Sequence, residues 1–213
     1  MKVTRQETAY NYLRKAILQH ELAPGSALVE QTISNKLEIS RTPVREAMKL
    51  LEAEGMISSH PVRGYYVAEL NNGDLKEIFD LRVALELLAL RTAIDKITGE
   101  EIAVTEKIFR DLNDNCSPEQ FYNADRHLHD LITHNSGNRR LVRFLENLNS
   151  QIERFRSIAA MKPDRLKYSR QEHTEILQMI KEHDLGKAEK ALETHINNVR
   201  ESVISVCEKY MFY

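Results

Sequence analysis

Residues 40–55 read Ser40-Arg41-Thr42-Pro43-Val44-Arg45-Glu46-Ala47-Met48-Lys49-Leu50-Leu51-Glu52-Ala53-Glu54-Gly55. Thr42 is a good helix N-cap, and Pro43 at the first helical position loses nothing, because an N–H there has no intrahelical acceptor. Gly55 ends the helix. Upstream, residues 6–20 place Ala9, Leu13, Ala16 and Ile17 on one helical face, and Ala23-Pro24-Gly25-Ser26 stops that helix. A short helix follows from about Val29 to Leu37, then Glu38-Ile39-Ser40 as a tight turn. Downstream, Met56–Ser59 and Tyr65–Ala68 alternate on either side of His60-Pro61-Val62-Arg63-Gly64, the pattern of a β-hairpin. Three helices and a hairpin predict a winged helix-turn-helix.

The polar side of the third helix suits DNA. Arg41 and Thr42 lie at its N-terminus, with Arg45 and Lys49 following at helical spacing. A helix N-terminus favours phosphate, and an arginine reaches guanine O6 and N7 together in a major groove. Arg63 at the hairpin tip is placed for the adjacent minor groove, and Gly64 lets the backbone approach closely. The competing reading is a solvated helix whose Glu46 and Glu52 form i,i+4 pairs with its own Lys and Arg. The order of elements argues against it. Leu22-Ala23-Pro24-Gly25, Leu28-Val29-Glu30, Ser40-Arg41-Thr42-Pro43-Val44-Arg45-Glu46-Ala47 and Leu51-Glu52-Ala53-Glu54-Gly55-Met56-Ile57 together resemble the DNA-binding domain of the GntR family of bacterial transcription regulators. That resemblance implies operator contacts from Arg41, Thr42 and Arg45, assisted by the Arg63-Gly64 wing. Gln31 stands where relatives often carry a polar or basic DNA contact.

The rest of the chain is of a different kind. Of the 213 residues, 42 % are hydrophobic and 29 % charged, an ordinary balance for a globular protein. No apolar run approaches the roughly 18 residues of a membrane span, and Met1-Lys2-Val3-Thr4-Arg5 lacks the apolar core of a signal peptide. Cys116 and Cys207 are far apart and in no metal or redox spacing, which excludes a disulfide scaffold and a zinc finger and points to a reducing cytoplasm. Net charge is −2 overall, but residues 1–70 carry nine Lys and Arg against eight Asp and Glu, leaving the excess of acid to residues 71–213. The turn-rich Asn71-Asn72-Gly73-Asp74 marks a boundary, with Asp74 placed to start a helix. Beyond it the breakers Gly99, Ser117-Pro118, Gly137, Pro163 and Gly186 delimit about six helices. The expected architecture is mainly α: a winged helix-turn-helix over residues 1–70 and an all-helical bundle over 71–213.

At 100° per residue, several polar side chains fall on apolar stripes. In 118–134, Asp125 and His129 share the arc of Phe121, Leu128 and Ile132, whereas His127, Asp130 and His134 lie opposite. His173 sits among Leu166, Ile176, Leu177 and Ile180; His195 sits among Ala188, Leu192, Val199, Val203 and Val206. Each alone reads as a core residue with a local hydrogen bond. Four together suggest a divalent metal, because coordination offsets the cost of burying them, and an Asp/His₃ set suits Zn²⁺, Ni²⁺, Mn²⁺ or Fe²⁺. His20, His60, His127, His134 and His183 lack this placement. In 75–94, Arg82 and Glu86 also fall inside the apolar face, either as an internal i,i+4 pair or with Arg82 aimed into a cavity to hold a carboxylate.

Asp125-Arg126-His127-Leu128-His129, Ser136-Gly137-Asn138, Glu172-His173 and His195 are similar to the FCD ligand-binding domain of the FadR branch of the GntR family, and Asp74–Ala93 resembles its first helix. The resemblance implies that Asp125, His129, His173 and His195 hold the metal, that a small organic acid binds near it with Arg82 as a contact, and that the bundle is of the shorter, VanR-type arrangement. Leu128 replaces a usual phenylalanine. The expected protein is a cytoplasmic, ligand-responsive regulator, a repressor acting as a homodimer on double-stranded operator DNA. Two alternatives compete: a regulator whose metal is purely structural, and a metal-dependent hydrolase using the same four donors. The hydrolase lacks a clear general base, since Glu172 computes to a face about 100° from His173.

Overall fold

Among the described residues three short strands form one antiparallel sheet, which belongs to the first of two compact units. The computed structural model describes residues 3–69, 72–112, 116–159 and 163–210, including side chains except those of 72, 118, 155–159, 163–164 and 206–210. Asn71 at the expected boundary, and the side chains of Val206 and Cys207, lie outside the described residues. The first unit comprises Met1–Asn71 and Asn147–Ser157; the second comprises Asn72–Glu146 and Ile158–Tyr213.

In the first unit, α1 (Arg5–Leu18) opens on a capping box: the Glu7 N–H donates to Thr4 Oγ1 at 3.1 Å and the Thr4 N–H to Glu7 Oε2 at 2.7 Å. β1 (Ala27–Leu28), α2 (Glu30–Leu37), α3 (Arg41–Ala53), β2 (Ile57–His60) and β3 (Gly64–Val67) follow. The sheet order is β1-β3-β2, with Ala27 opposite Tyr66 and Ser58 opposite the same residue on the other side. The hairpin is where the sequence placed it. β1, only two residues long, carries no periodicity and was not expected.

The turn between α2 and α3 is made by Glu38 in the left-handed region (φ 55°) and by the Ser34 hydroxyl, which donates to the Ile39 carbonyl at 2.6 Å. α3 starts one residue before the expected cap: Ser40, not Thr42, is the N-cap, and Pro43 is the third helical residue. Proline is tolerated there for the same reason as at the first position, since no intrahelical acceptor waits for its N–H. One face of α3, Val44, Ala47, Met48 and Leu51, is fully buried with Leu13 and Met56 in the unit's core.

The second unit is built on α4 (Asn72–Ala93), α5 (Gly99–Asp111), α6 (Pro118–Asn135), α7 (Arg139–Ala159), α8 (Pro163–Lys181) and α9 (Leu185–Tyr210). These are the six helices marked off by the breakers. α5 and α6 open on capping boxes at Thr98 and Ser117, and Pro118 occupies the first turn of α6. α4 packs on α6 and α9, and α8 packs on α5, α6 and α9. Three of these helices, α6, α8 and α9, therefore turn faces toward one another.

α7 belongs to both units. Its segment Asn147–Ser157, which the division at residue 70 left with the bundle, closes part of the first unit. The Asn147 side-chain amide donates to the Ala53 carbonyl at 3.0 Å, the Arg154 guanidinium donates to the Ala68 carbonyl, and Arg14 pairs with Glu153. Gly55 (φ 71°) admits this segment: a Cβ there would stand 3.1 Å from Gln151 Cδ.

The two faces of α3 give a direct test. Leu51→Ala removes a fully buried side chain and is expected to cost about 2–5 kcal/mol, whereas Leu50→Ala, at 45 % exposure, should cost well under about 1 kcal/mol. Urea unfolding of the two variants measures the difference; equal losses would mean that α3 is rotated from the orientation described.

Candidate metal centre and nucleic-acid interface

α6 places Asp125 and His129 one turn apart on its inward face. α8 adds His173 and α9 adds His195, and all four side chains are buried. Asp125 Oδ1 lies 3.1 Å from His173 Nε2 and 3.7 Å from the Nε2 atoms of both His129 and His195. His195 Nε2 is 3.4 Å from His129 Nε2 and 3.2 Å from His173 Nε2. One donor atom from each residue thus lies within 4.8 Å of the others. Ligands about 2.1 Å from a shared zinc in a tetrahedron stand about 3.4 Å apart, so these separations fit one ion at their centre. The four residues that the helical stripes brought together in the sequence are together in space.

Two carboxylates behind the imidazoles fix their tautomers. His129 Nδ1–H donates to Glu86 Oε2 at 2.5 Å, and His195 Nδ1–H donates to Glu172 Oε2 at 2.7 Å. Each bond leaves the Nε2 lone pair directed at the cluster, as metal coordination requires. Glu172 also accepts from both terminal nitrogens of Arg165, at 2.9 and 2.5 Å, and from the Asn198 amide at 2.8 Å. Glu172 does point away from His173, as its place on the helix predicts, but toward a histidine on another helix, a partner that the sequence does not reveal. The ring of His173 lies beside Phe109 and Phe121, and its Nδ1 has no hydrogen-bond partner among the described residues.

The charges agree with these roles. Burial would raise the Glu86 carboxyl, but the charges of Arg82 and His129 outweigh it and hold the group down to about 2. For His129 burial again opposes, and the Glu86 and Asp125 carboxylates push its pKa up from the ordinary value. Burial first, and then the charge of His195, push His173 down to about 3, which keeps it neutral and able to donate a lone pair. Burial of Glu172 is outweighed by hydrogen bonds from His195, Arg165 and Asn198, and its pKa falls to about 2.

Arg82 is fully buried on α4. Its Nε donates to Glu86 Oε1 at 2.5 Å, so the expected i,i+4 pair exists. Yet both terminal nitrogens lack hydrogen-bond partners among the described residues. The pair therefore uses one of five N–H groups and leaves four donors in the protein interior. Glu86 thus orients the guanidinium through Nε, and the far edge is left without a partner among the described residues.

In the first unit, Arg41, Thr42, Arg45 and Lys49 are all exposed on the side of α3 opposite its core face. Arg63 is exposed in the turn between β2 and β3, and Gly64 begins β3 with φ 73° and open space where a Cβ would stand. The Ser40 side chain makes no capping hydrogen bond, so it leaves the first-turn N–H groups of α3 uncovered. Arg41 and Arg45 pair with Glu30 of α2, and Glu52 accepts from the Ser59 hydroxyl. The i,i+4 pairing with Glu46 and Glu52 that competed in the sequence is not what occupies Arg41 and Arg45. Gln31 is exposed and donates to Asn35.

Known proteins share both units. Residues 77–198 match the FCD domain, and residues 5–67 match bacterial regulatory proteins of the gntR family. The HTH-type transcriptional repressor RspR of Escherichia coli (strain K12) is 27 % identical over 197 residues, covering 91 % of this chain and 86 % of RspR. E. coli McbR/YncC shares the fold with a TM-score of 0.78 at 23 % identity, over 98 % of this chain and 100 % of that one. The Zn²⁺-bound FCD domain of TM0439 is similar at 25 % identity and a TM-score of 0.57, covering 68 % of this chain and 100 % of that domain.

The depressed carboxylates set the acid response of the metal-free protein. Glu172 ionises at about 2 when folded and near 4.5 when unfolded, so its stabilising contribution is complete above about pH 4.5 and is lost as pH falls toward 2. Glu172→Gln removes that dependence. In urea unfolding, the variant should be less stable than wild type at pH 6, and the gap should narrow by pH 3.5. A gap independent of pH would refute the charge assignment.

Proposed function

The chain belongs to the FCD family of bacterial regulatory proteins and carries a gntR-family DNA-binding domain, and from that premise we propose a metal-containing repressor that senses a small organic acid. It is a DNA-binding transcription regulator, not an enzyme. The observation that carries the proposal is the buried Asp125/His129/His173/His195 cluster with its imidazoles already oriented by Glu86 and Glu172. Three imidazoles and a carboxylate suit a divalent transition metal, Zn²⁺, Ni²⁺, Mn²⁺ or Fe²⁺, over the all-oxygen surroundings preferred by Ca²⁺ and Mg²⁺. Zinc in the similar FCD domain of TM0439 supports this reading. Asp125, His129, His173 and His195 would hold the ion, which would supply positive charge at their centre.

The charge count points to an anionic effector. With a divalent ion on ionised Asp125, the buried group of Arg82, Glu86, Asp125 and metal carries one net positive charge. A carboxylate neutralises it and occupies the unpartnered edge of Arg82. Arg82 and the metal ligands are joined through Glu86, which accepts from Arg82 and from His129. An anion that reorients Arg82 therefore acts on a ligand imidazole, and the metal reciprocally affects the anion. α4, which carries Arg82, begins just after β3 in the chain, so a shift in its position alters how the recognition helices of two copies are spaced. A ligand does this only by binding the DNA-competent and DNA-incompetent states differently.

On the DNA side, Arg41, Thr42, Arg45 and Lys49 line the groove-facing side of α3, with Arg63 and Gly64 at the wing. The chain acts as a homodimer on a pseudo-palindromic operator, two copies reading two half-sites. Residues 1–70 bind DNA, and 71–213 bind effector and partner copy. Among the described residues no helix is long and apolar enough to cross a membrane, and operator DNA places the protein in the cytoplasm. The related RspR is named a repressor, which supports the sign of control.

Native mass spectrometry of gently purified, untagged protein tests the centre. The expected species is a dimer with one divalent ion per chain, and His173→Ala should lose the ion. A bare protein that also refuses added Zn²⁺, Ni²⁺ and Mn²⁺ would leave the histidines as core packing. Arg82→Met separates sensing from structure: it should keep metal and operator binding but abolish release from the operator by the acid retained in the wild-type spectrum. An unchanged response would remove Arg82 from the effector site, and a wild type that retains no acid and responds to none would leave the metal purely structural.

A further inference from the structure

Arg45 is not a loose side chain. Its Nε donates to Glu30 Oε1 at 2.7 Å and a terminal nitrogen donates to Glu30 Oε2 at 2.8 Å, a side-on bidentate pair between α3 and α2. Arg41, one turn earlier on α3, donates to the same Oε2 at 3.1 Å. The arginine side chains are more than half exposed, while that of Glu30 is only 13 % exposed. Glu30 is the first residue of α2, which packs on α3 and buries Ile33 in the shared core. The carboxylate is therefore fixed to the scaffold and the guanidinium groups are held by it. Arg45 hydrogen bonding, working against partial burial, keeps Glu30 below its ordinary pKa, so it is ionised at neutral pH.

We infer that Glu30 is a positioning residue for base recognition: it grips one edge of Arg45, turns the opposite edge outward, and tethers Arg41 beside it. The inference rests on the reading of α3 as the DNA-reading helix. A guanidinium has five N–H donors. Glu30 occupies the Nε–H and one hydrogen of a terminal nitrogen. The remaining terminal hydrogens form an end-on fork, the arrangement that pairs with guanine O6 and N7. A free arginine would offer several edges and would lose rotamer freedom on binding; the clamped one has lost much of it beforehand. The shared carboxylate also offsets repulsion between two guanidinium groups one turn apart. With both guanidinium groups more than half exposed, these pairs are expected to add little to folding stability.

The test uses the full-length protein and a duplex operator obtained by selecting random-sequence DNA against the wild type. Glu30→Gln and Glu30→Ala are compared with Arg45→Ala for affinity to that operator and to a scrambled duplex, across a salt series, with thermal unfolding as the check on folding. For the Glu30 variants operator affinity should fall about threefold to tenfold, as a side chain must now be ordered on binding. Affinity for scrambled DNA should hold or rise, because a negative charge is gone, and repeated selection should show weakened preference at one base pair per half-site. Equal losses on both duplexes would mean that Glu30 only supports the fold. Operator and scrambled affinities rising together would make it a charge brake, and unchanged affinities on both would make the pair idle; each overturns the inference. Arg45→Ala that leaves operator binding intact would instead remove the recognition-helix reading beneath it.

Discussion

A carboxylate and three imidazoles buried between α6, α8 and α9 are the constraint on which the second unit turns. Each is costly to remove from water unless it is bonded or neutralised. The fold meets that cost in two layers. The inner donors face one another at separations suited to one ion, and the outer carboxylates Glu86 and Glu172 take the far protons of two imidazoles. Arg82 and Arg165 then hold those carboxylates from behind. Carboxylates thus stand between the imidazoles and the arginines, so losing Glu86 or Glu172 would free an imidazole and an arginine together. The cluster is thus a reason for the helices to sit as they do, as well as a place to put a metal.

The first unit solves a different problem. α3 must hold a well-packed face and an exposed basic face at once. Val44, Met48 and Leu51 anchor it in the core, while Arg41, Arg45 and Lys49 stand on the other side at four-residue intervals. Long cationic side chains on a surface are mobile by default. α2 contributes a carboxylate, Glu30, that limits this for Arg41 and Arg45, and it does so from a helix packed on α3.

How much of this was legible depended on whether the signal was local. Helical periodicity at 100° per residue found Asp125, His129, His173, His195 and Arg82 because each interrupts an apolar stripe on its own helix. Breakers and caps gave the six bundle helices, and the alternation around Arg63-Gly64 gave the wing. Glu172 escaped because its partner lies on α9, and position on α8 says only that it faces away from His173. Glu30 escaped likewise: its value comes from α3, across the turn closed by Ser34. The return of Asn147–Ser157 to the first unit left no mark either, since an amphipathic helix does not state which core receives its apolar side. Partner choice across elements is a tertiary fact, and one helix's periodicity does not contain it.

Arg82 shows what the combination of both levels gives. From the sequence it is equally a salt bridge or an anion contact, and the structure shows the salt bridge made through Nε alone. A guanidinium that only neutralised Glu86 would gain most by presenting two nitrogens to it, as Arg165 does to Glu172 on the other side of the cluster. Arg82 presents its Nε alone and keeps both terminal nitrogens buried without partners among the described residues. Leaving such donors unsatisfied is expensive, and Arg165, whose buried Nε also lacks a partner among the described residues, at least commits both terminal nitrogens to its carboxylate. The two arginines support two similarly placed carboxylates, and of the two it is Arg82 whose terminal nitrogens have no partner among the described residues, the observation on which its proposed role as an effector contact rests.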